Sequence, residues 1–326
     1  MSTSNIENKN KSIKRVTKIF KNRFGHFRAG WRILFYITFV VTLYRFLDLL
    51  SNSLLLIRGE NLSDYLLLLN RSISKFLNLL SVFIPSIVLL KWVDKRPVTL
   101  LGTGFYKGAM RELFIGMLMG FLLIILSVSI LRLTGVASFS FNGLSIGLLL
   151  YLLGVLIVLV ISAAYEEVLF RGYVFQALIE GSNFWITLAI FSLLFGAAHI
   201  GNTEATVYTV AVTIIAGVFV GTMYFKTRTL WICIGVHFMW NWTLGPLFGM
   251  GLSGSKFLKR SIFTYKPSES GFFLGADAMS EIILGIVVIA LTIYIWKANW
   301  FKPAEFNKKL WALYPSKYGT EPEMSE

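Results

Sequence analysis

The sequence predicts an all-α, polytopic membrane protein, a bundle of about eight transmembrane helices. Three observations carry this reading. Of 326 residues, 56% are hydrophobic and only 15% charged, more apolar surface than a soluble domain can hide. The apolar residues fall in runs of about 20, the length that crosses a ~30 Å hydrocarbon core at ~1.5 Å per residue. The basic residues behind the net charge of +14 gather at the ends of those runs. An excess of 31 basic over 17 acidic residues could suit nucleic acid, but this placement is the positive-inside pattern, and no nucleic-acid partner is expected.

Residues 1–30 form a basic arm, with Lys9, Lys11, Lys14, Arg15, Lys18, Lys21, Arg23 and Arg28 against the single acid Glu7. The arm is expected to face the cytoplasm and the anionic surface of the bilayer. A membrane domain follows over 31–300, and 301–326 reads as a cytoplasmic tail. The first apolar run has full-span length and no small-residue cleavage site after it, so a removable leader is not expected. The chain closes on Glu-Met-Ser-Glu, which is not a prenylation box.

The first two spans are expected near 31–51 and 73–93, with 52–72 outside. A basic connector, from Lys91 through Asp94-Lys95-Arg96-Pro97 and Gly102 to Arg111, leads to a third span near 112–131. There Gly116-x-x-x-Gly120 permits close helix contact. The fourth helix reads without a break from about 144 to 179, longer than the bilayer requires. After a Gly181-Ser182-Asn183 turn come helices near 184–200, 206–225 (with Gly217-x-x-x-Gly221) and 230–248, the last interrupted at Gly245-Pro246. A loop of mixed charge and a final span near 281–297 complete the bundle. The one cysteine, Cys233, excludes an intrachain disulfide and reads as a small core residue.

Charged side chains inside such runs are expensive, roughly 2.5–3.5 kcal/mol each at the bilayer centre, and persist where they pair, line a wet cavity or do chemistry. The fourth helix carries Glu166, Glu167 and Arg171. The two histidines beyond the N-terminal arm, His199 and His237, also lie in apolar runs, and Asn241 follows His237 by one turn. In a hairpin about Ser182, Glu166 lies 16 residues before the turn and His199 17 after it, so the two are level. Glu167 and Arg171, four apart, share a face and can pair; Glu166 points about 100° away. Each residue has a plainer role open to it. The Glu–Arg pair can be a structural clamp, a lone histidine or asparagine an interhelical hydrogen bond, and Phe195 packing. Jointly, one carboxylate facing two imidazoles and an amide suits activation of a water molecule, directly or on a metal. Ser162 and Ser192 carry no nucleophile signal.

Glu166-Glu167-x-x-x-Arg171, then Phe195-x-x-x-His199, then His237-x-x-x-Asn241 resemble the three ordered motifs of the CPBP family of intramembrane proteases, the CAAX-protease and bacteriocin-processing (ABI) group. The resemblance covers roughly 145–245; the connector at 94–102 also looks like that of bacterial members, which implies a bacterial plasma membrane. It implies a CAAX-protease-like helical bundle and a peptide or membrane-associated protein as substrate. Glu166 would activate water, with His199, His237 and Asn241 completing the site and Glu167, Arg171 and Phe195 supporting it. Family members are described both as zinc enzymes, which here would place Zn2+ on His199, His237 and Glu166, and as metal-free glutamate proteases. The competing readings are a non-catalytic immunity or scaffold protein that binds a peptide in the same pocket, and a proton-coupled transporter using the same Glu and His.

An even number of crossings and basic flanks predict that both termini face the cytoplasm. Reporter fusions after residue 30 and after residue 310 should both read as cytoplasmic; one external terminus would show that a span has been miscounted.

Overall fold

The computed structural model describes residues 19–21, 27–54, 63–255, 258–269, 274–299 and 301–313. Most of the basic arm and residues 314–326 lie outside them. Among the described residues, six helical stretches are long and apolar enough to cross a membrane. They comprise α1 (Ala29–Leu54), α2 (Asp64–Val88), α3 (Ala109–Leu133), α4 (Ile146–Arg171) with its continuation α5 (Tyr173–Gly181), α7 (Val207–Thr227) and α9 (Ala276–Lys297). Two of the eight expected spans are shorter, α6 (Phe184–Ala197) and α8 (Leu230–Trp242), and a small helix α10 (Glu305–Leu313) follows α9. Polytopic helical architecture therefore stands, with six long members rather than eight.

Local chemistry explains the boundaries. Side chains of Ser63, Ser145, Asn183 and Thr229 accept backbone N–H bonds at the starts of α2, α4, α6 and α8, and Thr206 forms a capping box with Thr209 at α7. The Ser63 cap explains why 64–72, expected outside the second span, is already helix. The fourth helix is broken where the sequence suggested continuity. At Gly172 the backbone turns to φ −76°, ψ −128°, and a Cβ there would lie 2.2 Å from the Val168 carbonyl oxygen. α8 gives way to a wide π turn, Thr243–Leu247, that contains Pro246, whose missing N–H cannot continue the α ladder.

One departure from the all-α expectation is a two-stranded antiparallel sheet. β1 (Ala137–Phe141) follows α3 and pairs with β2 (Phe263–Pro267), Phe139 opposite Tyr265. The strands alternate aromatic or apolar with polar residues, and the Tyr265 hydroxyl donates to Asp277 at the start of α9 at 2.9 Å. The sheet thus ties the ends of α3 and α9 within the stretch read as loop.

The bundle closes by backbone approach as much as by side-chain burial. α3 and α8 cross so tightly that a Cβ on Gly116 would sit 2.2 Å from the Ile232 carbonyl oxygen, and one on Gly235 2.3 Å from that of Leu113. Gly217 on α7 similarly abuts Ser192 of α6. Cys233 is fully buried beside this crossing, as expected. At one end of the bundle Arg32 of α1 pairs with Asp94 of the connector and with Glu180 of α5, which Arg96 also meets. Arg32 further donates to the Tyr173 hydroxyl at 3.1 Å. A buried cation is tolerated there because three acceptors surround it. Lys226 donates to the carbonyls of Ile295, Trp296 and Ala298, capping the C-terminal end of α9.

Gly116→Ala should separate α3 from α8 and lower stability by about 1–3 kcal/mol, the usual cost of overpacking a filled contact. Gly147→Ala, which meets nothing within 4 Å, is the control. Thermal unfolding in detergent compares the two; equal midpoints would show that the crossing is looser than described.

Candidate functional site

The polar residues of α4 divide according to the direction their helix gives them. Glu167 points into the protein with no exposed side-chain surface, whereas Glu166, one residue earlier, borders a cavity of about 560 Å³ with 17% of its side chain exposed. Successive helical residues diverge by about 100°, so adjacent carboxylates cannot share one environment.

Glu167 is held from its own helix and from α8. Its Oε1 accepts from Arg171 one turn later on α4 at 3.1 Å and from His237 Nδ1 on α8 at 2.7 Å. The second Arg171 arm donates to the Gly217 carbonyl on α7 at 3.3 Å. The guanidinium lies 4.5 Å above the Phe195 ring, which also touches the rings of His199 and His237. The expected i,i+4 pair is present, and it does more than clamp α4: the same carboxylate orients a histidine on another helix.

His199 lies beyond the end of its helix rather than within it. α6 stops at Ala197, and residues 198–202 turn back toward α7. Fourteen residues span only about 21 Å at the α-helical rise, less than a hydrocarbon core, so the turn falls at the depth of Glu166. His199 Nδ1 donates to the Phe195 carbonyl at 2.7 Å, a group freed by the helix end. With both Nδ1 atoms engaged as donors, each neutral ring presents an Nε2 lone pair. Those two atoms converge on one oxygen: Glu166 Oε2 lies 3.7 Å from His237 Nε2 and 3.9 Å from His199 Nε2. Oε2 is buried without a hydrogen-bond partner among the described residues, while Oε1 accepts from Ser162 at 3.3 Å. Asn241, one turn after His237, lines the same cavity. The structure thus assembles Glu166, His199, His237 and Asn241 at one wall, with Glu167, Arg171 and Phe195 directly behind it.

Two imidazole nitrogens and a carboxylate oxygen are donors of the type zinc takes. Among the described residues, however, no group of three or more His, Cys, Asp and Glu side chains is disposed as a metal site.

Two features escaped the sequence reading. Ser162, one turn before Glu166, orients its carboxylate. The facing wall of the cavity is the polar stripe of α2, comprising Asn70, Arg71, Ser74, Lys75 and Asn78. The signal for the stripe was present in its 3–4-residue spacing within an apolar run.

Comparison with known proteins places the same segment in context. Residues 148–243 match the family model described as type II CAAX prenyl endopeptidase Rce1-like. Over 82 residues the chain is 30% identical to the "Putative membrane peptidase YdiL" of Bacillus subtilis (strain 168), an overlap covering 25% of this chain and 32% of that protein. The match spans about a third of the length of that curated relative. Both findings bear out the resemblance to the CPBP-type protease family that the three motifs carry.

Removing one partner of a buried ion pair strands the other, at about 3–5 kcal/mol. Glu167→Ala and Arg171→Ala should therefore lower folded yield and thermal midpoint in detergent more than Glu166→Ala, whose carboxylate borders the cavity. Equal stability in all three would show that the pair does not hold the site.

Proposed function

We propose that this chain is an intramembrane endopeptidase, similar to CAAX prenyl proteases, in which Glu166 activates the water that hydrolyses a peptide bond. The substrate is a peptide or a membrane-associated protein. The observation that carries the reading is the convergence of two histidine Nε2 atoms on the unpartnered Glu166 Oε2 inside a cavity. A water among these atoms can donate one hydrogen to Glu166 Oε2 and the other to one histidine Nε2, leaving a lone pair for a carbonyl carbon. A scaffold has no need of such a cluster.

The steps follow from the groups present. Ionised Glu166 takes a proton from the attacking water as the carbon–oxygen bond forms, and returns it to the leaving amine as the carbon–nitrogen bond breaks. The negative charge on the carbonyl oxygen of the intermediate is met by the Asn241 amide, or by one imidazole that carries a proton on Nε2 in place of its lone pair. Glu167 acts through His237, fixing its tautomer and direction, and is a positioning residue. The apolar helices around the site raise the strength of each of these interactions by excluding bulk water.

Glu166→Gln keeps size and polarity but removes the base. Peptide cleavage by the purified full-length protein should fall by about two to four orders of magnitude, with the fold retained. His199→Ala and His237→Ala should abolish turnover, and Asn241→Ala should lower it by about 10²–10³ if the amide meets the oxyanion. Zinc is measured on the same preparations: stoichiometric metal lost in both histidine variants would assign the two Nε2 atoms to a metal, and full activity of metal-free protein would leave Glu166 as the base alone. Unimpaired cleavage by Glu166→Gln would overturn the role given to it.

A further inference from the structure

The wall facing Glu166 is built from an unusual span. Asn70, Arg71, Ser74, Lys75 and Asn78 recur every three or four residues along α2, so one stripe of a helix that is otherwise apolar carries polar groups into the cavity. Lys75 is the notable member. It is half-buried at mid-helix and has no carboxylate partner among the described residues; its ammonium lies 5.9 Å from the centre of the Tyr165 ring, beside Glu166. Arg71 stands one turn before it on the same wall, and like charges four apart on a helix repel one another. A cation on an otherwise apolar helix persists where it pairs, lines a wet cavity or meets a ligand. The two cations that line the cavity both stand on α2, and Glu166 is its one acid among the described lining residues.

We propose that Lys75, with Arg71 beside it, binds a carboxylate of the peptide substrate and so sets which peptide bond lies against Glu166. The proposal rests on the peptidase reading and adds a recognition element to it. A carboxylate accepts strong charge-assisted hydrogen bonds from an ammonium and a guanidinium, and Asn70, Ser74 and Asn78 supply further polar contacts along the same stripe. The carboxylate is either the peptide's C-terminal group or an Asp or Glu side chain. Both are the same chemistry at this wall, and the peptides used below separate them. The anchor lies on α2 and the base on α4, so the cavity width between those helices fixes the distance from carboxylate to scissile bond.

The test measures binding, so that it does not depend on turnover. Full-length Glu166→Gln protein in nanodiscs of zwitterionic lipid is titrated with dye-labelled apolar decapeptides in three forms: free C-terminal acid, C-terminal amide, and amide carrying one internal Glu. The acid-bearing peptides should bind roughly tenfold or more tighter than the plain amide, the scale of a hydrogen bond to a charged group. The free acid and the internal Glu form identify which carboxylate is read. Adding Lys75→Met should erase the difference while leaving amide binding and the thermal midpoint in place, and Lys75→Arg should restore much of it. Equal binding of all three peptides to the Lys75 protein would overturn the proposal. So would an affinity difference that survives in Lys75→Met, or displacement of every peptide alike by phosphatidylglycerol, which would assign the cations to lipid. Failure of the wild-type protein to cleave any of the peptides while the acid preference persists would count against the peptidase reading alone.

Discussion

A single buried carboxylate organises the centre of this protein. Glu167 has no exposed surface, and its Oε1 is shared between Arg171 on its own helix and His237 on α8. Taking a carboxylate and a guanidinium out of water costs several kcal/mol per ion, and the attraction between them offsets this only where geometry is good and other hydrogen bonds complete the shell. Here Gly217 accepts the second guanidinium arm and the Phe195 ring covers its face, while Glu167 Oε2 has no hydrogen-bond partner among the described residues. α4, α6, α7 and α8 therefore meet at one ionic junction. Displacing any of them exposes or strands a charge.

That junction also sets the chemistry at the cavity. A histidine with a fixed Nδ1 donor has a fixed Nε2 acceptor, and both histidines are arranged in this way, one through Glu167 and the other through the Phe195 carbonyl. The two supports differ in origin. One is a side chain placed by the i,i+1 divergence of α4, and the other is a backbone group released because α6 ends early. Both depend on close helix approach. Gly235 lets α8 lie directly against α3, and Gly217 lets α7 lie against Ser192 of α6. A bulkier residue at either crossing would push the histidine-bearing segments away from α4.

Much of this was legible in the sequence. Charged and imidazole groups inside apolar runs are costly enough that their spacing reports their partners, so Glu166, His199, His237 and Asn241 could be gathered into one site and Glu167 matched to Arg171 before any coordinates. The hairpin arithmetic between Glu166 and His199 survives the break at Gly172 because both arms were counted from the same turn. What was not legible depends on tertiary geometry. Nothing local distinguishes a Glu–Arg clamp from a clamp that also holds His237, since that bond spans 70 residues. The early end of α6 is invisible to an apolar count, because Ala198 and Ile200 continue the hydrophobic run past the helix. The β1–β2 pair joins segments more than 120 residues apart. The polar face of α2 is readable as a 3–4-residue period, but a span boundary placed at residue 73 divides it, leaving Asn70 and Arg71 outside the expected span.

The adjacency of Glu166 and Glu167 is itself a constraint with a consequence. Two carboxylates one residue apart on a helix point into different environments, and a rotation of α4 by about 100° would exchange them. Such a rotation is opposed by the bonds that leave α4, from His237 of α8 to Glu167 and from Arg171 to the Gly217 carbonyl of α7. The rotational setting of α4 is therefore fixed by polar contacts to α7 and α8, where apolar packing against lipid-like neighbours would discriminate little between Leu, Val and Ile faces. Only one setting leaves a carboxylate oxygen unpartnered beside two imidazole lone pairs, and it is the one the buried ion pair stabilises. Stability and reactivity at this site arise from the same helix register, so the residue that anchors the fold and the residue that borders the cavity have to be neighbours in sequence.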